Sequence, residues 1–148
     1  MPKQPTNRTE IALSRHSKGF NCSQAVFSAY AEGVDEATAL KIASGFGGGM
    51  GRMAGTCGVV TGAFMALGTK FGGTTPDREA KEFMYARIKD FASRFEARNG
   101  SLMCRTLLGC DVSTPEGFQH AQEAKLFSTT CSKLVRDACE ILEDMLME

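Results

Sequence analysis

Helix start and stop signals recur along the whole of this chain. Nowhere do four or more residues alternate convincingly between apolar and polar, as a half-buried strand requires. Asn21 with Gln24 three residues on is a variant capping box. It opens a segment in which Cys22, Ala25, Val26, Ala29 and Tyr30 share one helical face, up to Gly33. Before it, Ile11, Leu13 and a basic Arg15, His16 and Lys18 suggest a short helix stopped by Gly19. Asp35 caps a third helix that runs through Ala39, Leu40, Ile42 and Ala43. A fourth is expected from near Ala54 to Leu67 or Gly68. Thr75-Pro76 starts a long helix that Asn99-Gly100 ends, and Ser101 caps a brief one to Gly109. Thr114-Pro115-Glu116 opens another to about Phe127, and Thr129-Thr130 precede the last. The expectation is an all-α fold, an irregular bundle of about six to eight helices.

Length and charge narrow the function classes. A chain of 148 residues with 43% apolar content forms one helical domain over 1–148 with its own core, residues 1–8 being a mobile tail. Seventeen basic residues balance seventeen acidic ones, which argues against a nucleic-acid partner or a polybasic membrane surface. No apolar run approaches the roughly 18 residues of a spanning helix. The N-terminus lacks the apolar stretch of an export signal, so cytoplasmic localisation without membrane insertion is expected.

Glycine is concentrated in Gly45-Phe46-Gly47-Gly48-Gly49-Met50-Gly51, which cannot sustain a helix because each Gly costs about 1 kcal/mol against Ala. It fits neither the dinucleotide nor the phosphate-loop pattern, and no strand precedes it. A closely packed turn against Cys22 or Cys57 is the better reading. Arg52 beside it suits either an anion or solvent. Ala54, Gly58, Gly62 and Ala66 fall at four-residue steps, a small-residue stripe that lets another helix come close. His16 and His120, each isolated, read as surface residues rather than ligands. Met145 and Met147 suit core filling or a helix–helix contact, which leaves room for a homodimer.

The six cysteines carry the chemistry. Their intervals of 35, 47, 6, 21 and 8 contain no Cys-x-x-Cys, so a thioredoxin-type motif and a local zinc or ferredoxin run are both absent. Cys22, Cys57, Cys104 and Cys131 nevertheless each fall at or near an expected helix N-terminus. Cys110 follows a helix end and Cys139 lies mid-helix. Free amide groups and the positive dipole end at a helix start stabilise a thiolate, which predicts low-pKa thiols led by Cys22 or Cys57. Since Cys22 and Cys57 each begin a helix and the small-residue stripe on the Cys57 helix admits a close neighbour, the two are expected to approach one another. Against this stands the plain alternative that cysteines are common buried small hydrophobes.

Three stretches, Gly19-Phe20-Asn21-Cys22-Ser23-Gln24-Ala25-Val26, Ala43 to Gly51 and Cys57-Gly58-Val59-Val60-Thr61-Gly62-Ala63, resemble the redox-active protein family named for its C_GCAxxG_C_C cysteine pattern. Cys104-Arg105-Thr106-Leu107-Leu108-Gly109 and Cys131 to Ala138 match the two remaining cysteine segments. The likeness runs from about residue 8 to 146. Thr56-Cys57-Gly58-Val59 departs from the Gly-Cys-Ala of the pattern, and Cys110 and Cys139 lie outside it. The resemblance implies a redox role for the same four cysteines.

The leading expectation is therefore thiol–disulfide or electron-transfer chemistry by clustered cysteines, in the manner of a thiol–disulfide oxidoreductase, with a redox partner or small molecule as substrate. A second is metal binding by Cys22, Cys57, Cys104 and Cys131, with zinc or an iron–sulfur cluster as the cofactor. A third is a non-catalytic helical binding module with buried thiols.

Overall fold

A computed structural model describes residues 7–148. Among these residues there are eight helices and no strand, so the fold is all-α, an irregular bundle. They are α1 (Arg8–Ser17), α2 (Cys22–Tyr30), α3 (Glu36–Ile42), α4 (Gly58–Phe71), α5 (Arg78–Asn99), α6 (Cys104–Leu108), α7 (Pro115–Glu123) and α8 (Thr130–Met147). Of the tail expected over 1–8, residues 1–6 lie outside the described residues, while Asn7 and Arg8 are the cap and first residue of α1.

At α2, α3 and α7 the expected cap acts through its own side chain, and the boundary follows the sequence. Asn21 accepts the Gln24 amide at 2.9 Å and the Gln24 side chain accepts the Asn21 amide at 3.0 Å, a complete capping box. Asp35 and Thr114 cap α3 and α7 as expected. Four boundaries differ. α5 takes Asp77 as its cap, so Pro76 precedes the helix instead of opening it. Helix α6 starts after Met103, because Ser101 accepts the Met103 amide at 3.0 Å in a turn before the helix. α4 starts at Gly58 rather than near Ala54, whose φ of 59° is left-handed. Finally, α7 ends at Glu123, short of Phe127, and Lys125 at φ 59° reverses the chain.

The main core is built on α2, α4, α5 and α8. Tyr30, Leu67, Phe91, Phe95, Ile141, Leu142 and Met145 are fully or almost fully buried there. Phe91 sits edge-on to Phe64, with ring centroids 5.9 Å apart, and stacks on Phe95 at 6.0 Å. A second, smaller cluster gathers Ala54, Cys104, Leu108, Val112, Ala121 and Cys131. Cys22 packs against both clusters and so lies at their junction.

Helices α2 and α4 form the most extensive helix pair, and the small-residue stripe is the reason. A Cβ on Gly62 would stand 2.7 Å from the Ser23 carbonyl oxygen, and one on Gly58 would stand 3.0 Å from the Ser23 nitrogen and 3.2 Å from the Cys22 Cβ. The expected close approach therefore occurs, with Ala54 excluded from the stripe because it belongs to the preceding loop. The substitution Gly62→Ala should cost about 1–2 kcal/mol, since overpacking outweighs the roughly 1 kcal/mol gained in helix propensity. Urea denaturation of the reduced protein measures it.

Candidate functional site

Between the two clusters lies a cavity of about 810 Å³ whose wall includes Cys22, Cys57, Cys104 and Cys131. Each cysteine arrives there on the start of a different helix. Cys22 is the first residue of α2 and Cys104 the first of α6. Cys131 is the second residue of α8, and Cys57 is the residue that caps α4. The expected helix-start placement thus holds for all four, and the fold brings them to one place.

Long-range hydrogen bonds make that convergence specific. The Cys57 amide donates to the Leu102 carbonyl at 2.8 Å, and the Cys104 amide to the Gly55 carbonyl at 2.7 Å. These two bonds frame an isolated antiparallel bridge between Thr56 and Met103, which locks the start of α4 beside the start of α6. Cys131 is fixed by its amide, which donates to the Leu126 carbonyl at 3.0 Å. The glycine loop is held by Asn21, whose side-chain amide donates to the Ser44 carbonyl at 3.1 Å, and by Arg105, which donates to the Ala54 carbonyl at 3.1 Å. Within the loop the chain runs through left-handed conformations at Gly48, Gly49, Met50, Gly51, Arg52 and Ala54. It is a closely packed turn, with Gly47 against Asn21 and the Phe46 carbonyl against Gly58, the neighbours of Cys22 and Cys57.

All six cysteines are free thiols. Cys57, Cys104, Cys131 and Cys139 are buried, whereas Cys22 and Cys110 are half-buried. Their ionisation departs from the sequence expectation. Burial pushes the Cys57 thiol up to about 12, although the Val59 and Val60 amides pull the other way. Burial likewise raises Cys104 to about 11, with the neighbouring Cys131 and Cys110 adding to it. Cys22 is raised well above the ordinary thiol range, first because it hydrogen-bonds to Cys131 and then because it is desolvated. Cys131 alone is lowered, and the cause is that same hydrogen bond from Cys22, which outweighs desolvation. The helix-start argument thus names the right positions and the wrong leading thiolate. A short helix end contributes less than the loss of water around a sulfur.

Cys22 and Cys57 line the same cavity, with Cys22 packed against Gly58, the residue after Cys57, and the thiol that most strongly affects the ionisation of Cys22 is Cys131. Cys139 is fully buried in the main core, with burial raising its pKa to about 12. Cys110 packs on the smaller cluster and does not line the cavity.

His16 was missed as a site residue. It ends α1 and reaches Cys22, with its Nε2 3.6 Å from the Cys22 Sγ. Its Nδ1 lies 3.4 Å from the Ser132 hydroxyl, beside Cys131. Desolvation lowers its pKa, which favours the neutral imidazole. Nothing in sequence marks this role, because the five residues between His16 and Cys22 include the Gly19 turn. His120 is exposed, as expected.

Among the described residues no three His, Cys, Asp or Glu side chains are grouped so as to hold one metal ion. Nor is any helix of the described residues long and apolar enough to cross a membrane.

The cysteine pattern decides the family. A family model described as "Putative redox-active protein (C_GCAxxG_C_C)" matches residues 20–145. The chain belongs to this family. The C_GCAxxG_C_C match spans all four cysteines of the cavity, together with Cys110 and Cys139. No curated protein and no solved structure gives a significant match.

Proposed function

We propose that this protein, acting as a single helical domain, exchanges thiols and disulfides through Cys22 and Cys131. The observation that carries this reading is that Cys22 and Cys131 line one cavity beside His16, whose Nε2 lies 3.6 Å from the Cys22 Sγ and whose Nδ1 lies 3.4 Å from the hydroxyl of Ser132, next to Cys131. The negative charge is favoured on Cys131. A thiol whose ionisation is favoured and a second thiol beside it are the two parts that dithiol exchange requires.

The Cys131 thiolate attacks one sulfur of a substrate disulfide, forming a mixed disulfide and expelling the first substrate thiolate. Cys22 then loses its acceptor and passes its proton to the neutral His16 imidazole, 3.6 Å away. The Cys22 thiolate attacks the Cys131 sulfur, closes a Cys22–Cys131 disulfide and expels the second substrate thiolate. His16 returns its proton to one leaving thiolate and solvent protonates the other. In balance, the substrate gains two electrons and two protons, and two protein thiols become one disulfide. A cytoplasmic setting fits, because reduced thiols persist there. The substrate is a redox partner or a small molecule.

The test is to oxidise the reduced protein with a neutral small disulfide and map the linkage by peptide mass spectrometry. A single reversible Cys22–Cys131 bond is the expected result. No bond among the four cavity cysteines, or a bond confined to Cys110 or Cys139, overturns it.

One observation favours a second reading: four thiols from four separate helices face one cavity. The spacing does not suit a single zinc ion. An iron–sulfur cluster, which takes four Cys thiolates, is the form of metal binding that four convergent thiols support. Iron, sulfide and visible absorbance in anaerobically purified protein, lost in Cys57→Ala, distinguish it from the dithiol reading.

A further inference from the structure

The cavity wall has an uneven charge. Arg52 is its one permanently charged side chain, and no Asp or Glu contributes to it among the described residues. In a chain with as many acidic as basic residues, that exclusion of carboxylates is informative. Arg52 is exposed, and its guanidinium lies over the Phe118 ring at 4.0 Å, a cation–π contact that positions it without pairing it with a carboxylate. It forms no ion pair among the described residues. Gly47, Gly48 and Gly49 lie on the same wall, and their amide groups find no acceptor among the described residues. The lining is otherwise partly apolar, with Phe20, Leu107, Leu108 and Phe127. At about 810 Å³ the space falls within the range of sites for small molecules, roughly 300–1,000 Å³.

We infer that the substrate of the Cys22–Cys131 pair is a low-molecular-weight disulfide carrying a carboxylate, held by Arg52 while its sulfurs reach Cys131. This rests on the thiol–disulfide reading and adds the substrate class. The carboxylate meets a guanidinium fork and unpaired backbone amides, a charge-assisted arrangement. The rest of the molecule lies against the apolar side chains of the lining.

The experiment compares three small disulfides on the full-length reduced protein: anionic dithiodiglycolate, neutral bis(2-hydroxyethyl) disulfide and cationic cystamine. Rates of Cys22–Cys131 bond formation are measured by quenched alkylation and divided by the rates for the urea-unfolded chain, which removes intrinsic reactivity. The normalised anionic rate should exceed the cationic one by about tenfold at low salt, a preference that shrinks at 1 M salt as screening predicts. Arg52→Gln should bring the ratio close to one, and Arg52→Lys should keep most of it. Equal normalised rates in the wild-type protein, or a ratio untouched by Arg52→Gln, overturn the inference while the neutral disulfide still reports on the pair. If none of the three closes the Cys22–Cys131 bond, the thiol–disulfide reading falls and this one with it. Circular dichroism verifies that each variant is folded, and the salt series on unaltered protein decides the matter if one is not.

Discussion

In the fully reduced protein at pH 7, Cys131 should be the first thiol alkylated by iodoacetamide, with Cys57 and Cys139 inert until the chain unfolds. Alkylation follows thiolate fraction and access. Cys131 is held below the ordinary thiol range by the hydrogen bond from Cys22, whereas burial pushes Cys57 and Cys139 up to about 12. A thiol at about 12 has a thiolate fraction of about 10⁻⁵ at pH 7, against about 10⁻² for an unperturbed one. The rate difference is therefore on the order of a thousandfold before access is counted. Cys22→Ala should slow Cys131 markedly, because it removes the donor that stabilises the thiolate. Cys131→Ser should make Cys22 more reactive, since it removes the first cause of its raised pKa, and abolish the reversible disulfide. Peptide mapping after timed alkylation reads all of this at once. Fastest reaction at Cys110 or Cys139, with the four cavity cysteines inert until the chain unfolds, would return the chain to the reading of a binding module with buried thiols.

Alkaline pH should destabilise the reduced fold steeply. Cys57, Cys104 and Cys139 all have folded pKa values raised above the unfolded one, to about 12, 11 and 12, with burial the first cause in each. Above the unfolded thiol value of about 8.5 the unfolded chain releases protons that the folded chain retains. Their stabilising contribution is thus fully present below pH 8.5 and is lost as the pH rises toward the folded values. Each thiol contributes about 1.4 kcal/mol per pH unit across its window, so a loss of several kcal/mol by pH 11 is expected. Thermal melts of reduced protein from pH 7 to 11 measure it. Cys139→Ala tests the assignment, since it should cost only about 1–2 kcal/mol of packing at pH 7 and flatten the alkaline slope. A stability that does not change between pH 8 and pH 11 would show that these sulfurs are hydrated.

Both outcomes depend on burial, and burial divides what was legible from what was not. A cap is a local device: Asn21 reaches Gln24, Asp35 reaches Thr38 and Thr114 reaches Gly117, each within three residues. Such bonds close before any tertiary contact exists, which is why the all-α architecture and the positions of the four cysteines at helix starts could be read from the chain alone. The small-residue stripe was legible for the same reason, since Gly58, Gly62 and Ala66 share a face by helical geometry.

The tertiary structure decided the rest. Helices α4 and α6 begin where the Cys57 and Cys104 amides find carbonyls on each other's approach segments, at Leu102 and Gly55, so Ala54 and Ser101 lost the role of first turn and cap. No periodicity records such a bond across more than forty residues. His16 came to Cys22 through the turn that follows α1, and Ser132 met its other nitrogen from 116 residues away. Which thiol becomes the thiolate was decided in the same way. The sequence determined that four sulfurs stand at helix N-termini, where a dipole favours ionisation. Only the folded protein determined which of them lose water and which gain a donor, and at a buried sulfur those two effects exceed the dipole.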